Sequence, residues 1–222
     1  MNKAYEVILD MYEYNEPIFT TDLQPVLNEQ LDLKPSAFRQ TIKRLADNGQ
    51  LEKVQDGIYF IPNPNSILKT QMLSVEKIVV KKFIKKNDCD VFGYKSGVYF
   101  ANLLGLTSQT ASVPTIISNK SKSNKREVKY YNKSIILKKP KVTVNECNYK
   151  LLQVLDLFNE FERLSEEPIS YASKKVKNYL SDVKIPEKEI KKAVEVYPDK
   201  VKNILYETGV FNELTHSRWF LI

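Results

Sequence analysis

Apolar positions along the chain divide it into a compact helical stretch, a hairpin and a longer mixed region. Ala4, Val7, Ile8 and Met11 recur at helical spacing and predict an amphipathic helix over residues 3–14, stopped by Pro17. Thr21 with Gln24 three positions on has the form of a capping box. Leu23, Val26 and Leu27 then supply the apolar face of a short second helix. A third helix opens near Pro35, a residue suited to a first helical turn, with Phe38, Ile42, Leu45 and Ala46 inward. Gly49 is its left-handed stop. Two β-rich runs follow, Leu51–Val54 and Ile58–Ile61, and the Asp56-Gly57 pair between them is a hairpin signal. Helix, helix, helix, hairpin is the order of a winged helix-turn-helix domain, expected over residues 1–64. Pro62-Asn63-Pro64-Asn65-Ser66 reads as a linker.

The second region predicts a helix over 74–86, with Val75, Ile78, Val79 and Phe83 inward and lysines outward. A short strand is expected at Val91-Phe92, then a buried helix over Gly97–Leu104 that ends at Gly105. Strand-like runs lie at Thr115–Ser118, Val128–Tyr131 and Ser134–Leu137. The remainder reads as helix: Tyr149–Leu164, with Leu152, Leu155, Phe158 and Phe161 inward, then stretches across 172–182, 187–196 and 198–207. No repeat of solenoid length is visible. The expected fold class is α+β: a winged helix-turn-helix, then a mixed α/β domain over 70–222 with a helical C-terminal part.

Charge changes this picture by its placement. Residues 1–64 carry six Lys and Arg against ten Asp and Glu, a net of −4, whereas residues 65–222 carry 28 against 17, a net of +11. The basic excess of the chain belongs to its second part, so the first must meet any polyanion with locally placed cations.

Such a local inversion exists. From Lys34 to Arg44 there are four cations and no acid. Ser36, Arg39, Gln40 and Lys43 stand at i, i+3, i+4 and i+7, one stripe opposite Phe38 and Ile42, with Lys34 before it and Arg44 at its flank. Arg forms bidentate bonds to guanine and Gln to adenine, while Lys and Ser hold phosphates, so the stripe points to double-stranded DNA. Lys53 and Gln55 at the hairpin turn are placed for backbone contact, although Asp56 beside them weakens the field. A polar loop over Asn119–Arg126, with Lys120, Lys122, Lys125 and Arg126 and no acid, is a second candidate. It is read together with lysines 81, 82, 85 and 86. The lysines at 174, 175 and 177 read as a solubility feature.

Catalytic signals are few. The chain has one histidine, His216, which beside Trp219 and Phe220 reads as structural, and two cysteines, Cys89 and Cys147, expected as small core residues. Neither count supports a zinc site or a disulfide framework, and no phosphate-cradling glycine loop is present. Asp90 followed by Glu127-Val128-Lys129 is a weak metal-dependent nuclease pattern, and a winged helix used for protein contact is the other competitor. The expectation is a non-enzymatic protein without cofactor or metal. Met1–Asp10 has no hydrophobic signal region, and no apolar run approaches the ~18–20 residues of a membrane span. A cytoplasmic location without a membrane partner follows as an expectation.

The segment Phe38-Arg39-Gln40-Thr41-Ile42-Lys43-Arg44-Leu45, then Gly49-Gln50-Leu51 and Gly57-Ile58-Tyr59, resembles the start of AbiEi-type antitoxins of abortive-infection systems. Gly93-Tyr94-Lys95-Ser96-Gly97, Leu103-Leu104-Gly105-Leu106-Thr107-Ser108-Gln109 and Val113-Pro114 are similar to that family's second domain. Tyr197-Pro198-Asp199-Lys200-Val201 with Leu205 fits as well. The resemblance implies an autorepressor whose winged helix binds inverted repeats in its own promoter. It also implies a second domain that aids DNA contact and counters a nucleotidyltransferase toxin without forming a stable complex with it.

Overall fold

Ala4 and Ile8 are buried on one side of the first helix, α1 (Lys3–Met11), whose start is capped by the Asn2 side chain accepting the Ala4 N–H at 3.0 Å. The helix stops three residues short of the expected end. Tyr12 is already extended, Asn15 is left-handed (φ 58°), and the Glu13 N–H is taken by the Glu16 carboxylate. The chain is a computed structural model that describes residues 2–67 and 70–216. The expectation for His216 beside Trp219 and Phe220 concerns side chains outside the described residues.

A two-residue strand that sequence did not predict, β1 (Ile18–Phe19), leads into α2 (Thr20–Leu31). The capping box does not form, because Thr21 lies within the first turn and its hydroxyl meets Asp22. The Thr20 N–H donates instead to the carbonyl of Gly57 at 3.0 Å. Asp32 (φ 51°) closes α2. In α3 (Pro35–Asp47) the inner stripe of Phe38, Ile42 and Leu45 is buried as the spacing predicts. It ends in a Schellman motif: Gly49 (φ 71°) donates to Ala46 and Gln50 to Leu45. β2 (Glu52–Gln55) and β3 (Ile58–Phe60) form the hairpin about Asp56-Gly57, with a bulge between Lys53 and Gln55. The three strands order as β1-β3-β2, with both pairings antiparallel. Ile8, Ile18, Leu23, Leu27, Leu51 and Ile61 join the α3 stripe in one core.

The segment read as a linker is a hydrogen-bonded turn. The Asn63 N–H donates to the Gln71 side-chain oxygen at 2.8 Å, and the Gln71 amide returns to the Asn63 carbonyl at 2.9 Å. By internal contact, residues 1–81 with 130–132 form one unit, and 82–129 with 133–222 a second.

The helix predicted over 74–86 is α4 (Val75–Val79), which continues as a π-helical turn over Val80–Ile84. The strand expected at Val91-Phe92 lies two residues later, as β4 (Gly93–Ser96), and Val91 makes only an isolated bridge to Lys85. α5 (Val98–Leu103) ends in a Schellman motif at Gly105, with Gly105 donating to Asn102 and Leu106 to Ala101. β5 (Thr115–Ser118), β6 (Lys125–Tyr130) and β7 (Lys133–Lys138) complete a four-stranded sheet of order β4-β5-β7-β6. β4 is antiparallel to β5, and β5 is parallel to β7. The chain is thus a mixed α+β protein with two small sheets.

α6 (Tyr149–Asn159) is the centre of the second unit, with Leu151, Leu152, Gln153, Val154, Leu155, Leu157 and Phe158 all buried. A helix apolar around most of its circumference must be covered on most sides. β4 and α5 pack on it, as do α8 (Ile169–Leu180), α9 (Glu187–Glu195) and α10 (Asp199–Glu207). The single helix predicted to Leu164 breaks at Glu160, and a further turn, α7 (Phe161–Leu164), follows. α11 (Val210–His216) closes the described chain. Cys89 and Cys147 are exposed, against the expectation of core positions. Each sits two residues after an asparagine whose side chain accepts its N–H at 3.0 Å, so polar turn chemistry holds these positions at the surface. Among the described residues no helix is long and apolar enough to cross a membrane.

Candidate nucleic-acid interface

α3 presents its polar stripe to solvent because its apolar stripe is committed to the core. Lys34, Ser36, Arg39, Gln40, Lys43 and Arg44 are all exposed, while Phe38 and Ile42 are only 2% and 3% accessible. Arg39 folds back so that its Nε donates to the Pro35 carbonyl at 3.3 Å, a long bond that a stronger acceptor would replace. The residues singled out by spacing are therefore brought together on one open face, and no carboxylate interrupts them between 34 and 44.

At the hairpin tip the arrangement differs. Lys53 Nζ lies 2.6 Å from Asp56, and Gln55 is half-buried. The hydrogen bond and charge of Asp56 push the Lys53 ammonium up, and Lys53 in turn holds the Asp56 carboxyl below its ordinary value.

In the second unit Lys120, Lys122, Lys125 and Arg126 are exposed, but they do not share one loop. Lys125 and Arg126 begin β6, an edge strand of the sheet, because the chain turns at 119–124 and extends earlier than expected. Lys120 Nζ lies 5.0 Å from the Phe92 ring centre. Of the lysines read with them, Lys81 is paired with Glu16 and Lys85 with Asp88, each at 2.5 Å. Burial and the like charge of Arg126 hold the Lys82 ammonium below the usual lysine range.

The nuclease pattern gains nothing from the geometry. Asp90 lies in the turn before Val91 and on no strand. The exposed Glu127 carboxyl is held low by the Ser134 hydroxyl and by Lys129, 3.6 Å away. Among the described residues no group of three or more His, Cys, Asp or Glu is disposed to hold a metal ion.

A polar network that sequence reasoning missed lies inside the second unit. Asp156 projects from α6 and accepts the hydroxyls of Tyr94 and Tyr197, each at 2.7 Å. Burial raises the Asp156 carboxyl despite those two bonds, and burial next to Asp156 pushes both phenols up. Lys141 Nζ lies 4.1 Å from the Tyr197 ring centre. The signal was present as Asp156 on a helix otherwise made of core residues. In the same unit, Glu166 accepts the Thr107 hydroxyl and the Ser108 N–H, both at 2.9 Å, and donates its own N–H to Leu106. The Leu-Gly-Leu-Thr-Ser segment and Tyr94 and Tyr197 thus take part in packing and hydrogen bonding inside the second unit.

An α+β chain with an open basic stripe on one helix and a helix-wrapped mixed sheet is the class that fold and site define. A family model described as a family of unknown function (DUF6088) matches residues 27–187, and the chain belongs to that family. The match runs from within α2 to the first residue of α9 and takes in α3, the hairpin and the four-stranded sheet. No curated protein matches the chain.

Proposed function

We propose that the protein is a transcriptional repressor that binds double-stranded DNA through a winged helix-turn-helix in its first unit, with α3 as recognition helix. It acts as the antitoxin of a nucleotidyltransferase toxin, in the manner of the AbiEi family that its sequence resembles. The order α1, β1, α2, α3, β2, β3, with a three-stranded antiparallel sheet, is the order of that motif. The observation that carries the reading is the α3 face itself: Ser36, Arg39, Gln40, Lys43 and Arg44 exposed together, with Phe38, Ile42 and Leu45 locking the helix beneath them. Side chains at i, i+3, i+4 and i+7 of a rigid helix reach successive base edges in a major groove.

Gln55 at the wing, and Lys120, Lys122, Lys125 and Arg126 in the second unit, supply phosphate contacts, while Lys53 stands at the wing tip beside Asp56. The antitoxin assignment rests on the resemblance alone. The deciding experiment is a gel-shift titration against about 200 base pairs upstream of the gene, with random duplex as competitor. Saturable binding that survives competitor supports the reading, and equal binding to both duplexes refutes base recognition by α3.

A further inference from the structure

Among the described residues of the first unit, the candidate DNA-facing cations differ in one respect. Lys34, Lys43 and Arg44 make no ion pair, whereas Lys53 is held at 2.6 Å by Asp56. The pair sits at the hairpin tip, three residues apart across the turn that Gly57 (φ 77°) permits. The Gly57 carbonyl is fixed by the Thr20 N–H at 3.0 Å, so the tip is anchored to α2 and its charges are carried by a defined turn. The Asp56 side chain is 99% accessible and that of Lys53 is 50% accessible, so both meet whatever the tip meets. The Asp56 carboxylate pairs with Lys53 at 2.6 Å, and that hydrogen bond and charge lower the Asp56 carboxyl.

We propose that Asp56 is an electrostatic brake on the wing: it occupies the Lys53 ammonium in place of a backbone phosphate and lowers the protein's sequence-independent grip on duplex DNA. This rests on the DNA-binding reading above. An exposed ion pair is weak in water, so a phosphate can displace Asp56 from Lys53. The displaced carboxylate then stays at the tip beside a second anion, and its repulsion offsets the new contact. Counterion release measures the balance, because each phosphate that a lysine neutralises adds about 0.9 to the slope of log affinity against log salt. With Asp56 in place the wing lysine contributes little to that slope.

The test uses the full chain as wild type, Asp56→Asn, Lys53→Ala and the double variant, titrated on promoter and random duplexes at several salt concentrations. Asparagine suits the same turn and removes only the charge. Asp56→Asn tightens binding to both duplexes by about 3–10-fold at low salt and steepens the salt slope by about one unit. Lys53→Ala alone changes affinity by less than about twofold, and in the double variant both the gain and the extra slope disappear. No gain with Asp56→Asn overturns the brake. A gain that persists in full without Lys53 also overturns it, because the effect is then general charge removal. If the wild type binds neither duplex, the DNA reading fails and the brake with it. If the wild type binds and Arg39→Ala abolishes promoter preference while Asp56→Asn does nothing, only the brake fails.

Discussion

A β-carbon on residue 93 would stand 2.0 Å from the carbonyl oxygen of Phe83, 2.7 Å from that of Ile117 and 3.0 Å from the Ser118 side chain. Gly93 starts β4 and Phe83 belongs to the π-helical turn, so a carbonyl of that turn lies against the start of the strand. Two of the three obstacles are backbone and cannot swing away. Gly93→Ala should cost about 3 kcal/mol or more, or prevent folding, measured by urea denaturation. A midpoint within error of wild type would mean that the turn and strand are not in contact as described.

The two faces of α3 should respond in opposite ways. Phe38→Ala empties a buried site and should lower stability by about 3–5 kcal/mol. Arg39→Ala, on the exposed face, should leave the unfolding midpoint within about 0.5 kcal/mol and lower promoter affinity by about 1–3 kcal/mol at one base position. Unfolding curves and gel shifts on duplexes permuted at single base pairs separate the two. Equal loss on promoter and random duplex would remove Arg39 from base reading.

Lysines of the second unit should behave differently from Arg39. Lys122→Ala and Lys125→Ala should weaken all sequences alike and lower the salt slope by about one unit each. Loss confined to the promoter would make them base-reading residues instead.

The Asp156 network predicts alkaline instability. Tyr94 and Tyr197 are buried, and both phenols are held above their ordinary value by burial and by the adjacent Asp156. Unfolded tyrosines ionise near pH 10, so above that pH the unfolded chain releases protons that the folded chain keeps. Fewer protons in the unfolded state make stability fall as pH rises, by up to about 1.4 kcal/mol per pH unit for each tyrosine, and it is fully present below pH ~10. Absorbance at tyrosinate wavelengths should show these two phenols titrating only with unfolding. Asp156→Ala, which strands both hydroxyls, should cost about 2–4 kcal/mol at neutral pH.

Local patterns were legible wherever a single element determines them. Pro35, Gly49 and the 3.6-residue spacing between them fix α3 and its exposed stripe. The run Thr115–Ser118 was read to the residue because it is short, β-rich and buried. What escaped depends on partners distant in sequence. β1 exists because Ile18 and Phe19 pair with Tyr59 and Ile58. The α2 start is satisfied by Gly57, so its capping residues looked right and were not used. Of the candidate site, the stripe on α3 and the placing of Asp56 beside the wing residues are legible as pattern, but the 2.6 Å pairing of Lys53 with Asp56 is a property of the folded turn. Cys89 and Cys147 show the opposite error, a general preference for burial overruled by an asparagine two residues before each.

The burial of α6 also constrains how the protein can be made. Its neighbours come from both directions along the chain: β4 and α5 precede it, and α8, α9 and α10 follow. Asp156 obtains its second hydroxyl only from Tyr197. A nascent chain emerging from the ribosome therefore holds one of its most apolar helices incompletely covered until about forty further residues have been translated, several seconds at usual translation rates. All segments of the first unit lie before residue 133 and are already translated in that interval. Chains cut off before Tyr197 would carry α3 together with an incompletely covered α6, a form suited to proteolysis rather than to use.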